Sequence, residues 1–187
     1  MAGPTRAAPV LALAPVRVRT VAEADLEPCL DLFEAVAGEG LWIASEPPID
    51  RDEVRARWKD LLRTGEGTVL LAEDGGPPAG LAAMVGLLSP ELGMLVRSGL
   101  RRRGVGAALL LACIDWARGR GAREVVLHVF PHNEAAVALY RKLGFEERGL
   151  LRAAYPRRSG EKWDAIRMVK PLVPASGDQR GASGSSM

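Results

Sequence analysis

The sequence predicts a mixed α/β fold in which a central, mostly antiparallel sheet carries helices on both faces. Three observations lead there. Stretches of two-residue apolar alternation take turns with stretches of helical periodicity. Three strand-like segments follow one another between Thr68 and Val96 with only turns between them, a run that favours antiparallel neighbours. Helical segments then separate the later strands, which gives the order βααβββαβαββ.

Val16 to Thr20 alternates Val with polar residues, as a half-buried strand does. From Ala24 to Ala37, Leu26, Leu30, Phe33 and Val36 recur at helical spacing, and Gly38-Glu39-Gly40 ends the run. A second helix starts near Asp50, where Asp50 and Glu53 resemble a capping box. Its apolar face is Val54, Trp58, Leu61 and Leu62, and Gly65 closes it. Thr68 to Ala72 reads as a strand, turned by Asp74-Gly75-Gly76-Pro77-Pro78. Strands from Gly80 to Leu88 and from Glu91 to Val96 follow, broken by Ser89-Pro90. A helix from Val105 to Arg118, stopped by Gly119 and Gly121, precedes a Val-rich strand from Glu124 to Phe130. Asn133 to Leu143 forms a short helix ended by Gly144, and two final strands meet at a turn near Arg158-Ser159-Gly160.

A chain of 187 residues, 48% hydrophobic and 26% charged, has the size and make-up of one soluble globular domain, expected over residues 16–173. The Ala/Pro-rich residues 1–15 and the Ser/Gly-rich residues 174–187 read as disordered tails. A net charge of +2, with no stripe of bases and aromatics, argues against nucleic acid as a partner. The apolar run from Val10 to Val16 is too short, and too broken by Pro15, to span a membrane. It also lacks the layout of a signal peptide, so a cytoplasmic protein is expected. Cys29 and Cys113 occupy helical apolar positions, as buried free thiols of a reducing compartment do. His128 and His132 lie on a strand and the turn after it, a spacing that does not converge on a metal, and no metal site is expected.

The informative junction runs from Val96 to Ala107. A strand ends at Val96, and five residues later Arg101-Arg102-Arg103-Gly104-Val105-Gly106 opens a helix. The first turn of a helix has backbone amides without internal partners, and its dipole places about half a positive charge there. An anion satisfies both. Gly104 and Gly106 let a bulky diphosphate approach the backbone, while the arginines add charge and forked donors. The pattern Arg-x-x-Gly-x-Gly is neither a Walker loop nor the GxGxxG fingerprint of dinucleotide folds. Taken alone it reads more readily as a tight turn than as a phosphate site.

Arg101-x-x-Gly104-x-Gly106 after Val96 is similar to the signature of the GNAT superfamily of N-acetyltransferases. The segment Asn133-x-x-Ala136-x-x-Leu139-Tyr140-x-Lys142-x-Gly144-Phe145 resembles the closing helix of the same family. With Gly160-x-x-x-Asp164-x-x-x-Met168 the likeness covers Glu91 to Lys170. Ser98 stands where the family often has Pro, a departure that bears on loop rigidity. The first ninety residues match only in element order and in the stretch from Glu39 to Pro48.

The resemblance implies acetyl-CoA as co-substrate. Arg101 and the backbone of Arg102, Arg103, Gly104, Val105, Gly106 and Ala107 would hold its pyrophosphate. Met94, Leu95 and Val96 would offer backbone groups to the pantetheine arm in a V opened between two strands, and an amide there would polarise the thioester carbonyl. Asn133 and Lys142 fall on the cofactor side, although Asn133 reads equally as the N-cap of its helix. Tyr140 would protonate the departing thiolate, its alternative being a packed residue like Leu139 and Leu143. Glu91 is the candidate general base, against a solvated strand end. Glu39, Trp42 and Glu46 would wall the acceptor pocket, and Asp164 would orient the acceptor or stabilise its hairpin. His128 reads as a packed, hydrogen-bonded histidine.

Proton cost bears on the acceptor. An α-amine with pKa about 8 costs roughly 1 kcal/mol to deprotonate at neutral pH, and a lysine-type amine roughly 4–5 kcal/mol. With one candidate base, a weakly basic amine is favoured. The resemblance runs to the branch that acetylates amino acids and small xenobiotic amines. Protein N-termini or lysines, and a non-catalytic acyl-CoA-binding domain, are the competing readings. Dimers are frequent in the family, and the hairpin from Arg157 to Trp163 is expected to be exposed for such pairing.

Overall fold

A computed structural model describes residues 16–172; the two expected tails and Val173 lie outside the described residues. Seven strands form one sheet: β1 (Arg17–Thr20), β2 (Gly67–Glu73), β3 (Gly80–Val85), β4 (Glu91–Val96), β5 (Glu124–Val129), β6 (Glu146–Pro156) and β7 (Lys162–Pro171). Their spatial order is β1-β2-β3-β4-β5-β7-β6. Every neighbouring pair is antiparallel except β4 and β5. The helices are α1 (Leu26–Gly38), α2 (Arg51–Thr64), α3 (Val105–Gly119) and α4 (Glu134–Lys142).

The sheet has a core on each side. On one face α3 and α4 bring Leu109, Leu110, Ile114 and Val137 against Leu70, Met84, Leu92 and Leu127. On the other, α1 and α2 bring Leu30, Val36, Trp58 and Leu61 against Val69, Leu71, Leu81 and Leu95. Consecutive residues of β2 therefore feed opposite cores, which is why Val69, Leu70, Leu71 and Ala72 are all buried where a one-sided strand would alternate with polar residues.

Local signals place the helix ends. Asp50 caps α2 by accepting a hydrogen bond from the Glu53 amide at 2.9 Å, and Gly65 ends it in a left-handed conformation at φ 71. β1 is fastened by charge: Arg19 reaches Asp25 at 2.5 Å and Glu73 at 2.6 Å. The Arg19 guanidinium, with the Ala22 amide, holds the Asp25 carboxyl down at about 2. Cys29 and Cys113 are free and buried, and burial pushes both thiols up to about 12. Among the described residues, no helix is long and apolar enough to cross a membrane.

Three expectations need correction. The strand from Gly80 to Leu88 stops at Val85, because the chain turns at Gly86, whose amide bonds back to Glu66 at 2.8 Å. The first helix begins as a 3-10 turn over Glu23–Asp25 and becomes α-helical only from Leu26. The hairpin from Arg157 to Trp163 is not exposed at its two ends: Arg157 is buried because it reaches the carbonyls of the segment between α1 and α2, and Trp163 is half-buried against Arg157, Phe130 and His132.

Candidate active site

The parallel pair β4/β5 is the place where the sheet opens. The two strands pair only at Glu91 with Val126 and Leu92 with Leu127. Beyond Leu92, β4 stays bonded to β3 as far as Val96, and β5 stays bonded to β7 as far as Val129. Each strand follows its other neighbour, so the edges facing each other part, and the β5-facing edge of Met94, Leu95 and Val96 is left without a strand partner. A cleft of about 960 Å³ occupies the opening and is lined by Met94, Leu95 and Val96 among others.

One wall of the cleft is the start of α3. Gly104 sits at φ 86 as the residue before the helix, and Arg102 is held at φ 62, a left-handed conformation that costs a non-glycine residue of order 1 kcal/mol or more. The first helical bond is from the Ala108 amide to the Gly104 carbonyl at 3.0 Å. Among the described residues, the amides from Arg102 to Ala107 donate to no protein acceptor. Gly106 packs so closely that a Cβ there would come within 3.2 Å of Leu139 and 3.6 Å of Met94. Arg102, Gly104, Gly106 and Ala107 line the cleft, whereas Val105 is buried in the core and leaves only its backbone for a ligand. Open amides beside a shallow backbone fit a pyrophosphate.

Arg101 behaves differently from its neighbours. Its guanidinium grips Glu39 through two hydrogen bonds of 2.8 and 2.6 Å, its Nε donates to the Val96 carbonyl at 3.1 Å, and it stacks over Trp42. The Glu39 carboxyl is lowered by this arginine and, secondarily, by the Trp42 indole, which donates to it at 2.5 Å. Arg101 thus joins the glycine loop to the segment between α1 and α2.

From α4, Asn133, Tyr140 and Lys142 all line the cleft. Asn133 also caps its helix, accepting from the Ala136 amide at 3.3 Å. Tyr140 is buried in the same core as Cys113 and Phe145, and burial, with Cys113 nearby, raises its phenol well above the ordinary value. A raised phenol is fully protonated at neutral pH, the state required of a proton donor.

Side-chain alternation sorts the cleft into two compartments. Leu92, Met94 and Val96 face the α3/α4 core, as do Leu127 and Val129 of β5. Glu91 and Leu95, and on β5 His128, therefore face the α1/α2 side. There the His128 Nδ1 meets the Tyr155 hydroxyl at 3.0 Å and a Glu91 oxygen at 3.4 Å. The glycine loop and Tyr140 lie across the split sheet from them.

The segment from Glu39 to Pro48 walls this second compartment through Trp42, Ile43, Ala44 and Ser45. Glu39 and Glu46 do not line it. Glu46 accepts from the Arg158 amide at 2.8 Å and pairs with Arg157 at 3.1 Å. The Arg157 side chain is 1% exposed, donates to the carbonyls of Gly40, Ile43 and Ala44, and stacks 4.2 Å above Trp163. Asp164 is also outside the cleft, its carboxylate accepting from the Ala153 amide at 2.7 Å within the β6/β7 hairpin. The sequence reading missed Tyr155 and Arg157. Tyr155 and His128 are 27 residues apart and belong to no shared motif.

Open helix-start amides and a buried phenol thus lie on one side of a split sheet, with a carboxylate–imidazole pair on the other. Comparison with known proteins gives the family. Residues 33–145 match the model of the Acetyltransferase (GNAT) family, and the chain belongs to that family. It is 30% identical over 167 residues to an uncharacterized N-acetyltransferase of Methanocaldococcus jannaschii, covering 83% of this chain and 66% of that protein's length. It is 29% identical over 140 residues to the L-methionine sulfoximine/L-methionine sulfone acetyltransferase of Pseudomonas aeruginosa, covering 71% of this chain and 81% of that one. Among solved structures, a ribosomal-protein-alanine N-acetyltransferase from Brucella melitensis superposes with a TM-score of 0.77 at 30% identity, over 83% of this chain and 99% of that one.

Proposed function

We propose that this protein transfers an acetyl group from acetyl-CoA to a primary amine of a small molecule, an amino acid or xenobiotic amine, by direct attack in a ternary complex. The observation that carries the reading is the split between β4 and β5, which opens the sheet between the cradle and Tyr140 on one face and Glu91 on the other. A thioester whose diphosphate lies on the amides of Arg102 to Ala107, with Arg102 and Lys142 adding charge, would run its arm along Met94, Leu95 and Val96 to that opening. There a backbone amide of β4 would polarise the carbonyl. The amine would enter past Trp42. Its nitrogen bonds to the carbonyl carbon, the carbon–sulfur bond breaks, the amine's proton leaves toward Glu91, and Tyr140 protonates the sulfur. Neither cysteine lies where an acyl group would be carried: both thiols are buried and held protonated. Free thiols also suit a cytoplasmic setting.

The acceptor preference rests on charge. Glu39 and Glu46, the carboxylates of the segment that walls the acceptor compartment, are neutralised by Arg101 and Arg157, which leaves Glu91 as the one carboxylate lining the cleft among the described residues. A polycation would find little to bind there. The similarity to the Pseudomonas enzyme supports an amino-acid-like acceptor. A second reading, acetylation of a protein's N-terminal amine, has the similarity to the Brucella structure behind it. Release of coenzyme A thiol over a panel of amino acids, xenobiotic amines, polyamines and N-terminal peptides tests both. Turnover confined to small amines is the expected result, and no thiol release with any amine would sink the enzymatic reading.

A further inference from the structure

We propose that His128 is the group that receives the amine's proton, with Glu91 and Tyr155 setting its tautomer and orientation; this rests on the acetyltransferase reading and refines the proton's path toward Glu91. Three side chains from three strands meet at the mouth of the split: Glu91 at the start of β4, His128 near the end of β5 and Tyr155 near the end of β6. All three line the cleft. His128 is the residue after the last β5 position that pairs with β4, so its ring stands where the two strands begin to part. Its side chain is 23% exposed, against 60% for Glu91, so the imidazole is the more enclosed of the two.

The contacts also assign the ring nitrogens. Both protein partners, the Tyr155 hydroxyl at 3.0 Å and the Glu91 carboxylate at 3.4 Å, approach Nδ1. A carboxylate beside one nitrogen favours the tautomer with the proton on that nitrogen. Among the described residues, Nε2 has no hydrogen-bond partner, and its lone pair is the one left for the cleft. An imidazole is intrinsically a stronger base than a carboxylate, by about two pKa units. When the amine attacks, its proton passes to Nε2, the imidazolium that forms is stabilised by Glu91, and the carbon–sulfur bond breaks with Tyr140 supplying the proton to sulfur. One proton enters the α1/α2 side and one leaves the α3/α4 side, and the sheet separates the two. The Tyr155 phenol is raised by burial and by Glu91, so it remains a neutral hydrogen-bonding partner. The other charged groups near this pocket are Arg167, opposite His128 on β7 and 4.0 Å from Glu124, and, lining the cleft, Arg57 of α2 and Arg101, which is held by Glu39.

The test is the pH dependence of single-turnover acetyl transfer at saturating acetyl-CoA, using an amine acceptor that the thiol-release panel has shown to be turned over. Wild type is expected to lose rate on the acid side of its pH profile, where the base is protonated. His128→Gln and His128→Asn are both expected to lower the rate about 100-fold and to abolish that acidic limb, with KM for acetyl-CoA unchanged. Glu91→Gln should cost about 10-fold while keeping the limb. The assignment is overturned if both His128 variants, shown folded by thermal melting, keep the limb or lose less than threefold in rate. It is equally overturned if Glu91→Gln alone removes the limb. A wild type that turns over no amine refutes the acetyltransferase reading, a different outcome from these.

Discussion

The two halves of the cleft are assembled by different means. The cofactor half takes its shape from local backbone conformation: residues 102–107 form a turn and a helix start, and the segment from Asn133 carries a short helix with its own cap. The acceptor half is stitched across the chain. Arg101 reaches Glu39 over 62 residues, His132 reaches the Leu41 carbonyl over 91, and Arg157 reaches the carbonyls of Gly40 and Ala44 over more than 100. A half built from backbone amides tolerates variation in side chains, whereas one built from paired charges fails when either partner is lost. The contrast predicts where each kind of substitution will act.

The largest effect should come from the buried clamp. Arg157→Ala takes away one of Glu46's two partners, the Arg158 amide remaining, and leaves three carbonyls without their donor; breaking a buried pair from one side costs about 3–5 kcal/mol. Denaturant unfolding should show that loss, and any folded fraction should bind acceptor far more weakly than acetyl-CoA. An unfolding midpoint within experimental error of wild type would mean that the acceptor wall stands without the clamp. Next is Tyr140→Phe, which removes one hydroxyl from the opposite compartment. Single-turnover kcat should fall about 100-fold, roughly 3 kcal/mol of barrier, with KM for both substrates little changed. Full turnover with chemistry rate-limiting would demote Tyr140 to a packing residue.

The ion pair that fastens β1 should have a smaller effect, and one that depends on pH. The folded Asp25 carboxyl is depressed to about 2, so its stabilisation is complete above the unfolded value near 3.9 and disappears as pH falls toward 2. Asp25→Asn should therefore cost about 1–2 kcal/mol at neutral pH, after allowance for solvent screening, a small remainder near pH 2 and nothing below it. Acid titrations of the two proteins that remain parallel throughout would contradict this. The smallest effect should be Gly106→Ala. The added methyl meets Leu139 at 3.2 Å, close enough to need a small shift, and it narrows the backbone approach to the pyrophosphate. Acetyl-CoA should bind about 10-fold more weakly by calorimetry, with acceptor KM unaffected.

Much of this was legible beforehand, for reasons particular residues make plain. Asp50 and Gly65 announced both ends of α2, because capping is a matter of neighbours along the chain. Glu91 to Val96 was readable as a strand because its two faces alternate. That Glu39 and Glu46 are engaged by Arg101 and Arg157 and do not line the cleft was not legible, because those partners lie 62 and 111 residues away. Asp164 was ambiguous until its carboxylate was seen on the Ala153 amide.

The linear sequence alone therefore determined the order of the elements, the glycine-led helix start with its open amides and the position of Tyr140 on its helix. Each depends on residues within one or two turns of each other, where steric preference and capping act without tertiary context. The tertiary structure alone decided which carboxylates remain free, that β4 and β5 part after Leu92, and that Glu91, His128 and Tyr155 converge. Those outcomes depend on strand order and on charges meeting across the sheet, and nothing in local spacing records which distant side chains will neutralise one another.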